Sequence, residues 1–286
     1  MTDTPNLPHA KILVFDSGVG GLSILAQIRR RLPHCNYVYA CDNQAFPYGT
    51  KAEEELVQRV DEVLKALISR IAPDIVVIAC NTASTVALPK IRAHFLKPVV
   101  GVVPAIKPAA QLSATKVIGL LATPGTIARP YTQWLIDEFA ADCTIVPVGS
   151  SELVAIAEEK LRGTAPDPQR LRAILAPIFA NPDTDTLVLA CTHFPLLREE
   201  LEAAAPRPVQ WVDSGEAIAR RVASFTGEHL AGENSAHILE ADSLVKDKSG
   251  FPCWLTAANQ ALAAGLKTFG AASVNIIEIP PSRPYE

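Results

Sequence analysis

Apolar positions along the chain fall into short solid blocks separated by helix-spaced ones. Residues 11–15 form such a block, followed by Asp16-Ser17-Gly18-Val19-Gly20-Gly21; Leu22, Leu25, Ile28 and Leu32 then share one helical face. A second block spans 37–40. Residues 51–71 read as a long amphipathic helix through Leu56, Val60, Val63, Leu67 and Ile71. Residues 74–79, rich in Ile and Val, predict a third strand, and 99–103 a fourth. The helix between them starts near Ala83 and is expected to be disturbed at Pro89. Strands that are apolar throughout, alternating with helices, predict a parallel sheet covered on both faces.

The pattern then starts again. Residues 116–122 predict a strand entering Thr123-Pro124-Gly125-Thr126, with a helix through Trp134, Leu135 and Phe139. A strand over 144–148, a helix over 152–162 and, beyond a proline-rich stretch at 163–168, another helix follow. Residues 186–190 predict a strand ending in Cys191-Thr192-His193, and 209–212 one leading into Asp213-Ser214-Gly215 and a helix. Three features recur after about 110 residues: Phe15-Asp16-Ser17-Gly18 as Ala122-Thr123-Pro124-Gly125, the block at 37 as that at 145, and Cys80-Asn81-Thr82 as Cys191-Thr192-His193. The expected fold is therefore α/β: two similar doubly wound parallel-sheet domains related by a pseudo-twofold, with the active site in the cleft between them. The second copy ends near Val212 and the remaining tail needs a sheet to pack on. The expected domains are thus 1–103 plus 214–286, and 104–213.

Composition narrows the class. A chain of 286 residues fits two domains at about 150 residues each. With 49% apolar and 20% charged residues it is globular, not disordered. A net charge of −4 disfavours a non-specific nucleic-acid binder. Clean apolar stretches such as 75–80 are far short of a membrane span, and residues 1–10 carry neither the basic end nor the apolar core of a signal peptide. The expectation is a cytoplasmic protein with no membrane or nucleic-acid partner, whose six cysteines are thiols. No Cys-x-x-Cys pair occurs, which argues against a structural zinc site.

Two of those thiols carry the candidate chemistry. A cysteine in a strand usually packs as a small hydrophobe. Cys80 and Cys191, however, stand at the same place in both repeats, each before polar residues and a predicted helix start. Helix N-terminal amides are expected to lower such a thiol's pKa and make it a usable base or nucleophile. One thiol per domain, facing one cleft, suits a symmetric reaction. Cys35, Cys41, Cys143 and Cys253 lack this arrangement; Cys41, beside Asp42, is read as a packed thiol at the cleft border. The loop after the first strand resembles a dinucleotide fingerprint only weakly, because Ser23 stands where the third glycine belongs. It reads better as a helix-entry loop whose amides and hydroxyl hold a carboxylate. His193 has too few partners for a metal site and is read as an imidazole sharing a proton with Cys191. Asp16 is placed to do the same for Cys80. By pattern alone Glu158 is a surface charge, and Phe46-Pro47-Tyr48-Gly49 is a turn.

Taken together, Asp16-Ser17-Gly18-Val19-Gly20-Gly21, Pro47-Tyr48-Gly49, Ala79-Cys80-Asn81-Thr82-Ala83-Ser84 and Cys191-Thr192-His193-Phe194-Pro195 resemble the cofactor-independent aspartate/glutamate racemases, specifically glutamate racemase. The resemblance runs over about 11–267 and includes Asp213-Ser214-Gly215. It implies interconversion of L- and D-glutamate by two thiols, supplying D-glutamate for peptidoglycan, with no pyridoxal phosphate and no metal. It implies Cys80 and Cys191 as the acid/base pair, Asp16 assisting the first, His193 and Glu158 the second. Asp16, Ser17, Pro47, Tyr48, Gly49, Asn81, Thr82, Thr123, Thr192 and His193 would bind the amino acid. Where the family often has Cys-Pro ahead of that glutamate, this chain has Ser150-Ser151. Arg92 with Gly101, Val102, Val103, Pro104, Ala105, Ile106 and Lys107 resembles the subgroup activated by UDP-N-acetylmuramoyl-L-alanine, and the family implies a homodimer. The same segment also reads as an interdomain crossing with one exposed lysine.

Racemisation itself asks for this arrangement: a base and an acid must flank the α-carbon, and they exchange jobs when the substrate's hand changes. The carbanion would be stabilised by loop amides and the hydroxyls of Ser17, Thr82, Thr123 and Thr192. An aspartate racemase or related decarboxylase is the nearest rival. A two-domain binding protein with merely packed thiols is the non-enzymatic one.

Overall fold

The computed structural model describes residues 9–226 and 250–279. The predicted first domain's residues 1–8, 227–249 and 280–286 lie outside the described residues, as does most of the start read against a signal peptide. The first half runs β1 (Lys11–Asp16), α1 (Leu22–Arg31), β2 (Asn36–Cys41), α2 (Glu53–Ile71), β3 (Ile75–Ile78), α3 (Asn81–His94) and β4 (Val99–Gly101). The second runs α4 (Ile106–Leu112), β5 (Val117–Ala122), α5 (Pro124–Ile127), α6 (Pro130–Phe139), β6 (Thr144–Gly149), α7 (Glu152–Leu161), α8 (Pro168–Phe179), β7 (Thr186–Leu189), α9 (Arg198–Ala204) and β8 (Gln210–Val212). The tail adds α10 (Gly215–Thr226), β9 (Phe251–Leu255), α11 (Gln260–Thr268) and β10 (Ala271–Ile276).

Two all-parallel sheets result, in the orders β10-β9-β2-β1-β3-β4 and β6-β5-β7-β8. The run β2-β1-β3-β4 is repeated by β6-β5-β7-β8, so the duplication read in the sequence is a duplication of strand order. The tail strands β9 and β10 extend only the first sheet. Burial explains the central strands: β1, β3 and β7 are buried along nearly their whole length, as helices on both faces require. The edge strands β6, β8 and β10 each have exposed or half-buried positions along them.

Helix α10 lays Ile218, Ala219, Val222 and Ala223 on the α1 face formed by Leu22, Leu25 and Ile28, tying the tail to the first sheet. Each of the Ile, Leu and Val side chains among them contributes roughly 1.5–3 kcal/mol when fully buried. Helix α3 is continuous from Asn81 to His94 despite Pro89. The proline removes one backbone hydrogen bond, and the buried Ala87 and Ile91 on either side keep the two turns in line.

Candidate active site

Both sheets present the carboxyl ends of their central strands to one pocket. Its walls are Ser17, Phe46, Pro47, Tyr48, Gly49, Thr50, Cys80, Asn81, Thr82, Thr123, Ser151, Val154, Cys191, Thr192 and His193, around about 420 Å³ of space including the mouth.

Cys80 is the residue just before α3, where the chain leaves the extended conformation, and its thiol is 3.9 Å from the Ser17 hydroxyl. Behind it lies Asp16 at the end of β1, fully buried. The Asp16 carboxylate accepts from the Ser17 amide at 2.6 Å, from the Gly21 amide, and from the Thr192 hydroxyl at 3.2 Å. The helix-entry loop thus does hold a carboxylate, and it is the chain's own. Burial raises the Asp16 carboxyl above its ordinary value, outweighing the His193 charge and the bonds from Ser17, Cys80 and Gly21 that lower it. The Cys80 thiol moves opposite to expectation. Burial, then the Asp16 charge, push it well above the ordinary thiol value, and the Ala83 amide at the helix N-terminus pulls down too weakly to win.

Cys191 follows β7 but does not open an α-helix: a 3-10 turn, Phe194–Leu197, comes before α9. Its partner is a side chain instead of a helix end. The Cys191 sulfur is 3.9 Å from His193 Nδ1, and His193 Nε2 is 3.0 Å from Glu158 Oε1. Glu158 is buried on the inner face of α7, which overturns the surface-charge reading. Burial pulls the His193 imidazole down, but the hydrogen bonds with Cys191 and Glu158 and the charges of Cys191 and Asp16 outweigh it and raise it to about 10. Phe46 tilts over the ring at 5.9 Å between centroids and shields it from water.

Other predicted residues divide by what they touch. Asn81 Nδ2 is buried on the pocket wall without a hydrogen-bond partner, an orphan donor available to a ligand. Thr82 of the first half meets Thr123 and Thr126 of the second through hydroxyl contacts at 3.4 Å, and Thr123 and Thr126 lie 2.9 Å apart. The Tyr48 hydroxyl is committed to Asp42 Oδ2 at 2.7 Å, so its ring, not its OH, faces the pocket. Asp42 in turn holds Arg59 through two bonds at 2.8 and 2.7 Å and the Thr256 hydroxyl at 2.7 Å. These bonds lower its pKa although burial works against them.

Cys41 is packed in the core and does not line the pocket. In the predicted activator segment Val102, Pro104, Ala105 and Ile106 are buried and Gly101 and Val103 half-buried, while Arg92 and Lys107 are exposed. Arg92 bonds the Val99 carbonyl, and Lys107 lies over the Phe139 ring. Among the described residues no cluster of three His, Cys, Asp or Glu side chains could hold a metal ion, and no helix is long and apolar enough to cross a membrane.

Sequence reasoning missed Phe46, Thr50, Ser151 and Val154. Val154 lies one turn before Glu158 on α7, so the inward placement of Glu158 would have pointed to it. Ser151 is part of the Ser150-Ser151 pair that stands in place of the family's Cys-Pro.

A duplicated α/β fold whose two halves each bring a thiol to one pocket, with a buried carboxylate behind it, defines an enzyme of proton-transfer type. The sequence profile of the Asp/Glu/hydantoin racemase family matches residues 22–222. The glutamate racemase of Klebsiella pneumoniae is 56% identical over 221 residues, 77% of this chain and 78% of that one. The glutamate racemase of Salmonella typhimurium is equally similar, 56% identical over 77% of this chain and 78% of its own. The crystal structure of Escherichia coli glutamate racemase, in complex with L-glutamate and the activator UDP-MurNAc-Ala, superimposes with a TM-score of 0.85 at 44% identity, covering 96% of this chain and all of that one. The chain belongs to the Asp/Glu/hydantoin racemase family. It is an amino-acid racemase, an enzyme of the isomerase class.

Proposed function

We propose that this enzyme interconverts L- and D-glutamate by a two-thiol mechanism and supplies D-glutamate for peptidoglycan. The observation that carries the reading is the meeting of Cys80 and Cys191, equivalent positions of the two repeats, in one pocket. Burial and the Asp16 charge keep the proton on Cys80, while Cys191 has the His193 ring 3.9 Å from its sulfur as a proton-transfer partner. In this protonation state Cys191 takes the α-proton of L-glutamate and Cys80 delivers a proton to the opposite face. The reverse reaction starts with the roles exchanged, and Asp16 and the His193–Glu158 pair return protons to their own thiols. Asn81, Thr82, Thr123 and Ser17 offer donors to the substrate's charged ends, with Thr192 on the same wall and Pro47, Tyr48 and Gly49 closing another. The mechanism needs neither metal nor pyridoxal phosphate, because the thiols themselves carry the proton.

Further parts of the reading rest on the relatives. The E. coli enzyme's activator is the ground for proposing UDP-N-acetylmuramoyl-L-alanine as activator here, with Arg92 and Lys107 as the exposed cations suited to its phosphates. A homodimer in the cytoplasm belongs to the same proposal. So do the two domains 1–103 plus 214–286 and 104–213, in favour of which β9 and β10 extend the first sheet and α10 packs on α1.

Polarimetry of the purified protein tests the reading. Both enantiomers of glutamate should lose rotation, those of aspartate should not, and the muramoyl nucleotide should raise the rate. Racemisation of aspartate in preference to glutamate would overturn the substrate; equal response to the nucleotide in Arg92→Ala and Lys107→Ala variants would remove the activator assignment.

A further inference from the structure

The loop after β1 crosses to the opposite half. The Val19 amide donates to Glu158 Oε1 at 2.9 Å, the same oxygen that lies 3.0 Å from His193 Nε2. The Ser23 hydroxyl donates to the Thr192 carbonyl at 2.8 Å. In the other direction, the Thr192 hydroxyl reaches Asp16 Oδ2 at 3.2 Å. The glycines beside Val19 leave no spare room. A Cβ on Gly20 would stand 2.7 Å from both the Thr192 hydroxyl and the His193 amide nitrogen, and would meet His193 Nδ1 as well. A Cβ on Gly18 would strike Glu158 Oε1 and sit 2.9 Å from the Phe46 ring.

We propose that each half of the molecule positions the proton-transfer apparatus of the other. Val19, Gly18 and Gly20 are positioning residues for Glu158 and His193 behind Cys191, and Thr192 is one for Asp16 behind Cys80. The physical reason is that a buried carboxylate with a free lone pair and a free torsion would rotate, carrying its partner out of line. A backbone amide from outside fixes Glu158 Oε1, and a hydroxyl from outside joins the Gly21 amide in fixing Asp16 Oδ2. Separating the halves would break both bonds together, so neither thiol is fully supported unless the cleft is closed.

The inference rests on the two-thiol reading, and its test is chosen to separate the two. A racemase has an equilibrium constant of one, so kcat/KM must fall equally in both directions in any variant and cannot report which thiol is affected. The α-deuterium isotope effect can. If the transfer to Cys191 is impaired, that step limits the rate: the effect on kcat/KM rises with α-deuterated L-glutamate and shrinks with the D enantiomer. Gly20→Ala and Gly18→Ala should show this skew, with kcat reduced on the order of a hundredfold, as an ångström of misplacement can cost. KM should move much less.

Thr192→Val should skew the isotope effects the opposite way, and Thr192→Ser, which keeps the hydroxyl, should restore the balance. Should the alanine variants fail to fold, as circular dichroism would reveal, the Thr192→Val arm alone decides. Isotope effects that keep the parent's balance while kcat/KM falls would overturn the proposal. Protium retained in the early product formed in deuterated water would instead remove the two-thiol reading beneath it.

Discussion

At the scale of single residues, His193 and Cys80 each hold a proton, and their surroundings give different reasons for it. The imidazole, raised to about 10 by its bonds with Cys191 and Glu158 against the pull of burial, stays cationic through the neutral range. The sign follows directly: a raised base loses its proton only as pH climbs towards that value, so the ring charge should not change between pH 6 and 8. NMR of the His193 ring should find it protonated throughout that interval, and Glu158→Gln should bring its titration down towards the ordinary histidine value. A ring titrating near 6.5 in the parent would show that the pair is not formed. These residues were unequally legible in the sequence. Cys80 and Cys191 were found because the repeat placed them in register, and His193 because it is two positions from Cys191. Glu158 came only from resemblance: α7 carries Glu158 and Glu159 side by side, and only the packing of Ile156 and Ala157 decides which one turns inward. The upward shift of Cys80 was unreadable, because the helix end is visible in sequence and the depth of burial is not.

Among elements, the central strands were legible because each is an unbroken apolar block, and their edges moved by only one or two residues. The tail was not. β9 contains Pro252, which argues against a strand, yet it lies inside the sheet between β2 and β10. A register shift between Ala271 and Ser273 on β10 accommodates it. β10 itself is a partly exposed edge strand with no apolar block to read. These elements nonetheless reach the site: Thr256, just past β9, bonds the Asp42 carboxylate that also holds the Tyr48 hydroxyl. The thiols outside the pocket sort by element in the same way. Cys253 is fully buried in β9, so Cys253→Ser places a hydroxyl in an apolar core and should cost about 1–3 kcal/mol of stability. Cys143 is half-exposed, and its serine variant should be within about 0.5 kcal/mol of the parent. Urea denaturation measures both, and polarimetry should find kcat intact in each; loss of kcat in the Cys253 variant with stability preserved would assign that thiol to the chemistry.

For the whole molecule, the proposed two-thiol reaction gives the duplication a stereochemical use. Two copies of one strand order face each other, each delivering a thiol to the same pocket, and a carbon bound between them would have one thiol on either side. If so, the proton removed cannot be the proton returned. The delivering thiol has exchanged with solvent before the substrate arrives, because an S–H exchanges quickly compared with typical turnover. Starting from L-glutamate in deuterated water, early D-glutamate should therefore carry α-deuterium almost completely, while unreacted L-glutamate keeps its protium. From D-glutamate the labelling should mirror this. A single base swinging between faces would carry some protium into product and label recovered substrate at the same time. Cys80→Ser and Cys191→Ser should each stop racemisation, since a hydroxyl is rarely ionised at neutral pH. Mass spectrometry of both enantiomers at a few per cent conversion decides the matter, and protium retained in the early product would exclude two opposed thiols.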